Sequence, residues 1–169
     1  MKENECRNIY RQAFCDPDTR FEDMLFKFCG DCCRTLEVGE KTVSMLFALP
    51  ITVKTEIGDI DGAYIYAAAT ESNSRKNGYM SKLLESIKAE YNITLLRPAN
   101  EPLISYYGNL GFKKVLTDIE SDISVIPLKG YKELIDKSGL NDNGEQYVAM
   151  YYTNGDINIE KLNFNYSMN

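Results

Sequence analysis

The chain has 169 residues with 25 acidic and 19 basic side chains, a formal net charge of -6, and neither histidine nor tryptophan. Without histidine it cannot form a Ser-His-Asp or Cys-His relay or an imidazole metal site. The acidic balance argues against nucleic acid as a partner, because non-specific binding needs clustered lysine and arginine. The length and the 44% hydrophobic content predict one compact domain over residues 1–169.

The apolar runs of the chain favour a soluble, cytoplasmic protein. Residues 1–14 alternate charged and apolar side chains and lack the apolar core of a secretion signal. The longest apolar run, residues 45–53, is interrupted by Pro50 and Thr52, which argues against insertion into a membrane. We therefore expect no membrane partner.

The five cysteines all lie in the first fifth of the chain, at Cys6, Cys15, Cys29, Cys32 and Cys33. Disulfides between cysteines confined to one region would stabilise little of a domain of this size, so we expect reduced thiols. Cys29 and Cys32 have CxxC spacing, but no second ligand pair follows and the segment lacks a strand-then-helix redox context. We interpret them as small buried residues at a helix end and expect no metal.

The first part of the chain predicts two helices. The first covers residues 8–14, and the second begins after the turn at Asp16-Pro17, where Thr19 and Glu22 have capping-box spacing. The apolar residues that follow recur at i, i+3, i+4 and i+7, which predicts a buried helical stripe made of Phe21, Met24, Leu25 and Phe28.

The next segments predict an antiparallel meander. β-like runs cover residues 34–38, 42–49, 51–56 and 63–70, and the glycine-containing stretch 58–62 is expected to connect the last two. A polar loop, residues 71–77, then leads into a helix over residues 78–91 and a short buried strand over residues 93–96. This order implies a right-handed crossover between parallel neighbours.

The remaining elements complete an α+β fold. Asn100 can cap a helix that runs to Leu110, with Pro102 near its start and Gly111 beyond its end. Strand follows from Phe112, then a helix over residues 131–137, a strand over residues 147–153, a hairpin turn and a strand over residues 157–162. We predict a mixed, mostly antiparallel sheet with helices on both faces.

Two segments of the sequence have features that packing alone does not require. The first is the end of a strand of small residues together with the loop Arg75–Met80 that follows it. A helix that opens after a glycine-containing loop presents free N–H groups and a positive dipole end, which suits phosphate oxygens. Arg75 and Lys76 add positive charge beside it. The alanines before the loop would let a ligand lie close to the backbone of residues 68–70. Tight packing and an ordinary surface turn remain alternatives for this pattern alone.

The second place is Tyr107, which lies four residues before Gly111-Phe112. Together, the two places resemble the GCN5-related N-acetyltransferase superfamily, in which an Arg/Gln-x-x-Gly-x-Gly/Ala loop binds acetyl-coenzyme A and a later Tyr-x-x-x-Gly-Phe segment carries a thiol-protonating tyrosine. The Arg-x-x-Gly-Tyr-Met form of the loop looks like a bacterial subgroup, with Met80 where Gly or Ala is usual. The resemblance covers about residues 7–128, and residues 129–169 match only as a terminal helix and strands.

The resemblance implies an acyltransferase that moves acetyl from acetyl-coenzyme A to an amine by direct attack, with Tyr107 as the catalytic proton donor. It implies that the co-substrate is bound by Ala68, Ala69, Thr70, Arg75, Lys76, Asn77, Gly78, Tyr79, Met80 and Asn100. Asn77 is expected to supply the left-handed turn that glycine gives in the family. A backbone N–H near Ala68 is the expected oxyanion donor.

The general base and the acceptor stay open. Candidate bases are Glu71, Glu37, Tyr64, Tyr66 and the carboxylate of Asn169. The acceptor is an amine of a small molecule or a protein, and acidic residues in the helical region would favour a cationic one; these are Asp16, Asp18, Glu22, Asp23 and Asp31. A homodimer is left open. The alternative to an enzyme is a non-catalytic module that binds acyl-coenzyme A or self-associates.

Overall fold

The computed structural model describes residues 2–15, 19–55, 58–117, 147–155 and 165–168. The helices of these residues are α1 (Glu3–Phe14), α2 (Thr19–Cys29), α3 (Tyr79–Glu90) and α4 (Glu101–Asn109). The strands are β1 (Cys33–Val38), β2 (Lys41–Thr55), β3 (Gly58–Thr70), β4 (Ile93–Leu96), β5 (Lys113–Thr117), β6 (Tyr147–Thr153) and β7 (Asn165–Met168). Short 3-10 turns lie at Gly30–Cys32 and Ser72–Ser74.

The strands form one sheet in the order β1-β2-β3-β4-β6-β5, and β7 pairs with a further stretch of β2. The pairs β1–β2, β2–β7, β4–β6 and β5–β6 are antiparallel. β4 is the neighbour of β3, and α3 lies between them in the sequence; the right-handed crossover between parallel strands stays a prediction. The predicted α+β class with a mostly antiparallel sheet is confirmed.

The backbone divides into two compact units. The first contains Met1–Leu49 and Tyr64–Glu90, and the second contains Pro50–Ala63 and Tyr91–Asn169. Each unit has its own buried side chains. The single domain predicted over residues 1–169 therefore stays a prediction.

The core of the first unit is built on β2, where every residue from Thr42 to Leu49 is buried. A strand that is buried on successive positions is covered on both of its faces. Phe47 packs edge-on against Phe26 of α2 with ring centroids 5.2 Å apart. Tyr10 of α1 contacts the Phe26 ring at a centroid distance of 6.2 Å. These aromatic contacts join both N-terminal helices to the strand.

The buried stripe of α2 differs from the predicted one. Glu22, Leu25, Phe26 and Cys29 are buried together with Met24, whereas Phe28 is 53% exposed and Phe21 is half-buried. The prediction that Phe28 faces the core is therefore wrong. The apolar pattern offered two neighbouring helical faces, and tertiary packing on Phe47 selected the one that contains Phe26.

Helix α1 is longer than predicted at its N-terminal end, because it begins at Glu3 and not at residue 8. Glu3 and Glu5 lie in its first turn, where carboxylates complement the positive end of the helix dipole. Glu5 also accepts a hydrogen bond from the backbone N–H of Thr42 at 2.8 Å. This contact ties the start of the helix to β2.

The glycine-rich stretch before Ala63 is strand and not the predicted connection, since β3 begins at Gly58. At Gly62 a Cβ atom would lie 2.6 Å from the carbonyl oxygen of Ile93, within the second unit. Glycine is needed there because the backbone of β4 approaches too closely for any side chain. The glycine signal thus marks a close strand contact.

In the second unit β4 is buried at all four positions, and its register against β6 runs from Ile93 opposite Thr153 to Leu96 opposite Met150. Helix α4 follows as predicted, and Gly111 just beyond it has φ 85°. The predicted helix over residues 131–137 and strand over residues 157–162 lie outside the described residues. Within the described part of the chain, no helix has the length and apolar content needed to cross a membrane.

Candidate active site

The strand that leads into the candidate loop contains a backbone irregularity at Ala67, which has φ 50°. An L-residue other than glycine rarely takes this left-handed conformation, and inside a strand it redirects the neighbouring peptide groups. Of the residues that follow, Ala69 is buried, while Ala68 and Thr70 are half-buried. The Thr70 hydroxyl lies 2.8 Å from that of Ser44, which fixes the end of the strand against β2.

The loop after β3 is held by side chains from two other elements. The backbone N–H of Glu71 donates to the carbonyl of Val43 at 2.9 Å, and the Glu71 carboxylate is paired with Lys41 of β2. The other carboxylate oxygen of Glu71 accepts from the Ser74 hydroxyl at 2.7 Å. The side-chain oxygen of Gln12 in α1 accepts from the backbone N–H of Ser72 at 3.2 Å. These contacts hold the loop against β2 and α1.

The next three residues complete the loop. Arg75 donates from Nε to the carbonyl of Thr70 at 3.2 Å, and the Asn77 side-chain amide donates to the carbonyls of Ser74 and Arg75, each at 3.2 Å. Lys76 is the residue with the left-handed backbone, at φ 66°. The prediction that Asn77 supplies the left-handed turn is therefore wrong, because its side chain closes the turn by hydrogen bonding instead.

Gly78 joins the loop to α3 with φ 74°, and a Cβ built on it would meet nothing within 4 Å. Its backbone conformation requires glycine, and the space beside it is open. The helix starts at Tyr79, and its first turn contains no acidic side chain. Tyr79 and Met80 are half-buried, while Arg75, Lys76, Asn77 and Gly78 are exposed. The N-terminus of α3 thus combines a positive dipole end with two nearby cations.

The remaining predicted site residues, Asn100 and Tyr107, lie in the second unit. The Asn100 side chain caps α4 by accepting from the backbone N–H of Leu103 at 3.1 Å, as predicted. Its assignment to the co-substrate stays a prediction, and its carboxamide oxygen already has this structural partner.

Tyr107 lies on the buried face of α4 and is 8% exposed. Its ring meets those of Tyr106 and Phe112 at centroid distances of 5.2 and 5.8 Å. Its backbone carbonyl accepts from the N–H of Phe112 at 3.1 Å, which explains the fixed spacing between the two residues. Burial raises the pKa of Tyr107 to about 12, with a smaller contribution from Tyr106. The phenol therefore remains protonated at physiological pH.

Two of the candidate bases are bound by cations. Hydrogen bonds from Lys41 and Ser74 hold the pKa of Glu71 below its ordinary value. Glu37 is paired with Lys2 at 3.2 Å. Tyr66 lies 6.5 Å from Phe21 between ring centroids, and Tyr64 is buried. The fifth candidate, Asn169, is outside the described residues.

Two of the acidic side chains predicted for the acceptor side, Glu22 and Asp23, are paired with arginines of α1. Glu22 is 3% exposed and accepts from Arg11 at 2.7 and 2.8 Å and from Arg7 at 2.9 Å. Asp23 also accepts from Arg7, at 2.9 Å. Burial raises the pKa of Glu22, but the hydrogen bonds from Arg11 and Arg7 outweigh it and hold the pKa below its ordinary value. Glu22 therefore joins α1 to α2, which differs from its predicted capping role.

The cysteines are free thiols. Cys6 and Cys29 are buried, Cys32 and Cys33 are half-buried, and Cys15 is exposed. Burial raises the pKa of Cys29 to about 11 and also raises that of Cys32. Neutral thiols of this kind behave as small apolar side chains, which agrees with the interpretation of the CxxC spacing. Among the described residues, no group of three or more potential metal ligands is found.

The structure thus brings together the strand end and the loop, which contain Ala68, Ala69, Thr70, Arg75, Lys76, Asn77, Gly78, Tyr79 and Met80. Sequence reasoning missed Ala67, Gln12 and Lys41 as residues that shape this region. A run of alanines gives no sign of which one takes a left-handed backbone. Gln12 and Ser72 are 60 positions apart in the chain, so their contact leaves no local pattern in the sequence.

No protein-family model matches the chain, and no curated protein sequence matches it. The fold, however, is similar to several solved structures. A protein from Corynebacterium glutamicum, described as histone acetyltransferase HPA2 and related acetyltransferase, aligns with a TM-score of 0.58 at 16% identity. That alignment covers 91% of this chain and 92% of the other.

The Bacillus subtilis N-acetyltransferase YlbP in complex with coenzyme A aligns with a TM-score of 0.53 at 12% identity, over 86% of this chain and 88% of that one. A GCN5-related N-acetyltransferase from Anabaena variabilis aligns with a TM-score of 0.54 at 21% identity, over 63% of this chain. This chain spans only 29% of the Anabaena protein and 32% of a related one from Kribbella flavida. The chain therefore has the fold of the GCN5-related N-acetyltransferases.

Proposed function

We propose that this protein is an N-acetyltransferase that moves an acetyl group from acetyl-coenzyme A to an amine. The observation that carries the proposal is the hydrogen-bonded loop Glu71–Gly78 at the N-terminus of α3. It offers Arg75, Lys76 and the free N–H groups of a helix without acidic residues in its first turn. Such features bind phosphate oxygens. Coenzyme A presents several phosphate oxygens, on its pyrophosphate and its 3′-phosphate.

The strand before the loop suits the acyl end of the same co-substrate. Small side chains at Ala68 and Ala69 allow a ligand to lie close to the backbone. The left-handed conformation of Ala67 redirects adjacent peptide groups, and we assign the oxyanion contact to a backbone N–H near Ala68. The fit rests on residues of this chain, and the coenzyme A complex of the Bacillus subtilis neighbour supports it.

In the proposed reaction the amine nitrogen attacks the thioester carbonyl, and the carbon–sulfur bond breaks as the amide forms. The negative charge that leaves with sulfur needs a hydrogen-bond donor, for which we propose the Tyr107 hydroxyl. With a pKa of about 12, Tyr107 is a weaker acid than a thiol of reference pKa ≈ 8.5. Its contribution is therefore a hydrogen bond to sulfur in the transition state. The proton that the amine loses is finally transferred to the thiolate, which leaves as the thiol.

The general base is not Glu71 in this proposal, because its lowered pKa makes it a poor proton acceptor. A water chain or one of the other candidates, Glu37, Tyr64, Tyr66 and the Asn169 carboxylate, is left to carry the amine proton. The acceptor is proposed only as an amine, of a small molecule or a protein. Glu22 and Asp23 are paired with arginines. These two carboxylates therefore give no reason to favour a cationic acceptor.

A thiol-release assay with acetyl-coenzyme A tests the proposal. The protein is assayed with and without a panel of primary amines that includes polyamines, aminoglycosides and lysine peptides. Amine-dependent release of coenzyme A, with the acetylated amine detected by mass spectrometry, is the expected result. Tight binding of acetyl-coenzyme A without turnover of any amine would favour the alternative, a non-catalytic acyl-coenzyme A binding module.

A further inference from the structure

The side chain of Gln12 connects helix α1 to the loop Glu71–Gly78. The Oε1 atom of Gln12 accepts two hydrogen bonds from Ser72, one from its backbone N–H and one from its hydroxyl, both at 3.2 Å. Gln12 lies in the last turn of α1 and is exposed. The partner residues are 60 positions apart, so this contact is a tertiary link.

The same helix is held in its first turn by Glu5 and further along by Arg7 and Arg11. Glu5 holds the Thr42 backbone at 2.8 Å, and Arg7 and Arg11 hold the buried Glu22 of α2. Helix α1 is therefore attached to both β2 and α2, and Gln12 reaches the loop from its last turn. A second support comes from β2, where Lys41 pairs with Glu71.

We infer that Gln12 is a positioning residue for the co-substrate loop, and that it couples occupation of the loop to the ordering of helix α1. This inference rests on the proposed function. Ser72 opens the turn that leads to Arg75 and Gly78, so the tether restricts where those residues lie. A ligand that orders the loop must then also stabilise the end of α1, because coupling between two elements is reciprocal.

The variant Gln12→Ala removes the acceptor of both hydrogen bonds while leaving an exposed helix position that favours alanine. We expect the Kd for coenzyme A, measured by calorimetry, to rise about three- to tenfold, the range expected for losing a hydrogen bond. Asn8→Ala, at an exposed position of the same helix, is the matched control and should leave Kd unchanged. Ser72→Ala should weaken binding in the wild-type background but add nothing to Gln12→Ala.

Hydrogen exchange supplies a measurement that a purely structural role would not change. Coenzyme A should slow amide exchange in peptides that cover the last turn of α1, and this protection should disappear in Gln12→Ala but not in Asn8→Ala. A lower melting temperature with unchanged Kd and unchanged protection would overturn the inference alone. If the unsubstituted protein binds no coenzyme A, the proposed function fails and this inference fails with it.

Discussion

The loop Glu71–Gly78 and the segment around Tyr107 are built on opposite physical principles. The loop is mostly exposed, and its shape comes from hydrogen bonds and the ion pair between Lys41 and Glu71. Ser74, Arg75 and Asn77 are all hydrogen-bonded to neighbouring groups. Tyr107 is buried between aromatic rings on a capped helix. One region is ordered by polar contacts and the other by apolar packing.

This contrast separates binding from chemistry in the proposed enzyme. Exposed cations and helix N–H groups can exchange water for phosphate oxygens at little cost, but their attraction is screened by salt. A buried phenol keeps its proton and its position, and its hydroxyl is worth more in a site from which water is excluded. Substitutions in the loop should therefore change affinity, while substitutions at Tyr107 should change turnover or stability.

The largest expected effect concerns the Tyr107 hydroxyl. Tyr107→Phe keeps the ring that packs on Phe112 but removes the hydrogen bond proposed for the leaving sulfur. We expect kcat to fall by about 10²–10³-fold with little change in KM, the loss typical of removing one hydrogen-bond donor to charge that develops in the transition state. Steady-state kinetics with an identified acceptor amine measure this. Tyr106→Phe, on the neighbouring ring, is the control, and wild-type kcat in Tyr107→Phe would reduce Tyr107 to a packing residue.

The backbone of the two regions should respond in opposite ways to the same substitution. Gly78→Ala places a side chain on a residue with φ 74°, which costs about 1–2 kcal/mol. Gly108→Ala, inside α4 with open space around its Cβ position, should stabilise the protein by about 1 kcal/mol. Urea unfolding of both variants measures these changes. Equal effects of the two substitutions would show that the loop has no fixed left-handed residue at Gly78.

The burial of Tyr107 also predicts a pH dependence of stability. Its pKa is raised from the reference value of about 10 to about 12, so the stabilisation is complete below pH 10 and is lost as the pH rises toward 12. Between pH 9 and pH 11 the wild type should lose about 1 kcal/mol more than Tyr107→Phe. Urea unfolding of the two proteins at both pH values measures the difference. Parallel losses would mean that the Tyr107 hydroxyl is in contact with water.

The loop cations should act on affinity and only in dilute salt. Arg75→Ala combined with Lys76→Ala is expected to raise the Kd for coenzyme A about three- to fivefold at low ionic strength, because exposed charges contribute little each. The effect should shrink in 0.5 M salt, where the Debye length is about 4 Å. Calorimetric titrations at the two salt concentrations test this. Lys113→Ala with Lys114→Ala, two exposed lysines of β5, is the matched control.

The sequence predicted the elements around both regions because their signals are local. The Asn100 cap, the Tyr107 to Phe112 spacing and the helix after Gly78 are set by residues within a few positions of one another. Hydrophobic periodicity located α2 as well, but it could not choose between Phe26 and Phe28 for the core. That choice depends on Phe47, which lies on another element.

The features that sequence reasoning missed depend on distant partners or on the backbone. The tether from Gln12 to Ser72 and the pair of Lys41 with Glu71 join residues far apart in the chain. The left-handed backbone positions 67 and 76 are occupied by alanine and lysine. Neither residue type signals this conformation in a sequence as glycine or asparagine does. Tertiary contacts hold such residues in conformations that their own preferences oppose.

Titration of the purified protein with acetyl-coenzyme A in a calorimeter, paired with thermal unfolding at the same concentrations, tests the central claim most directly. We expect one site and a rise in melting temperature that follows RT ln(1 + [L]/Kd). Desulfo-coenzyme A should bind nearly as well, and removal of the pyrophosphate should weaken binding more than removal of the 3′-phosphate. The absence of both heat and thermal shift at millimolar coenzyme A would contradict the account.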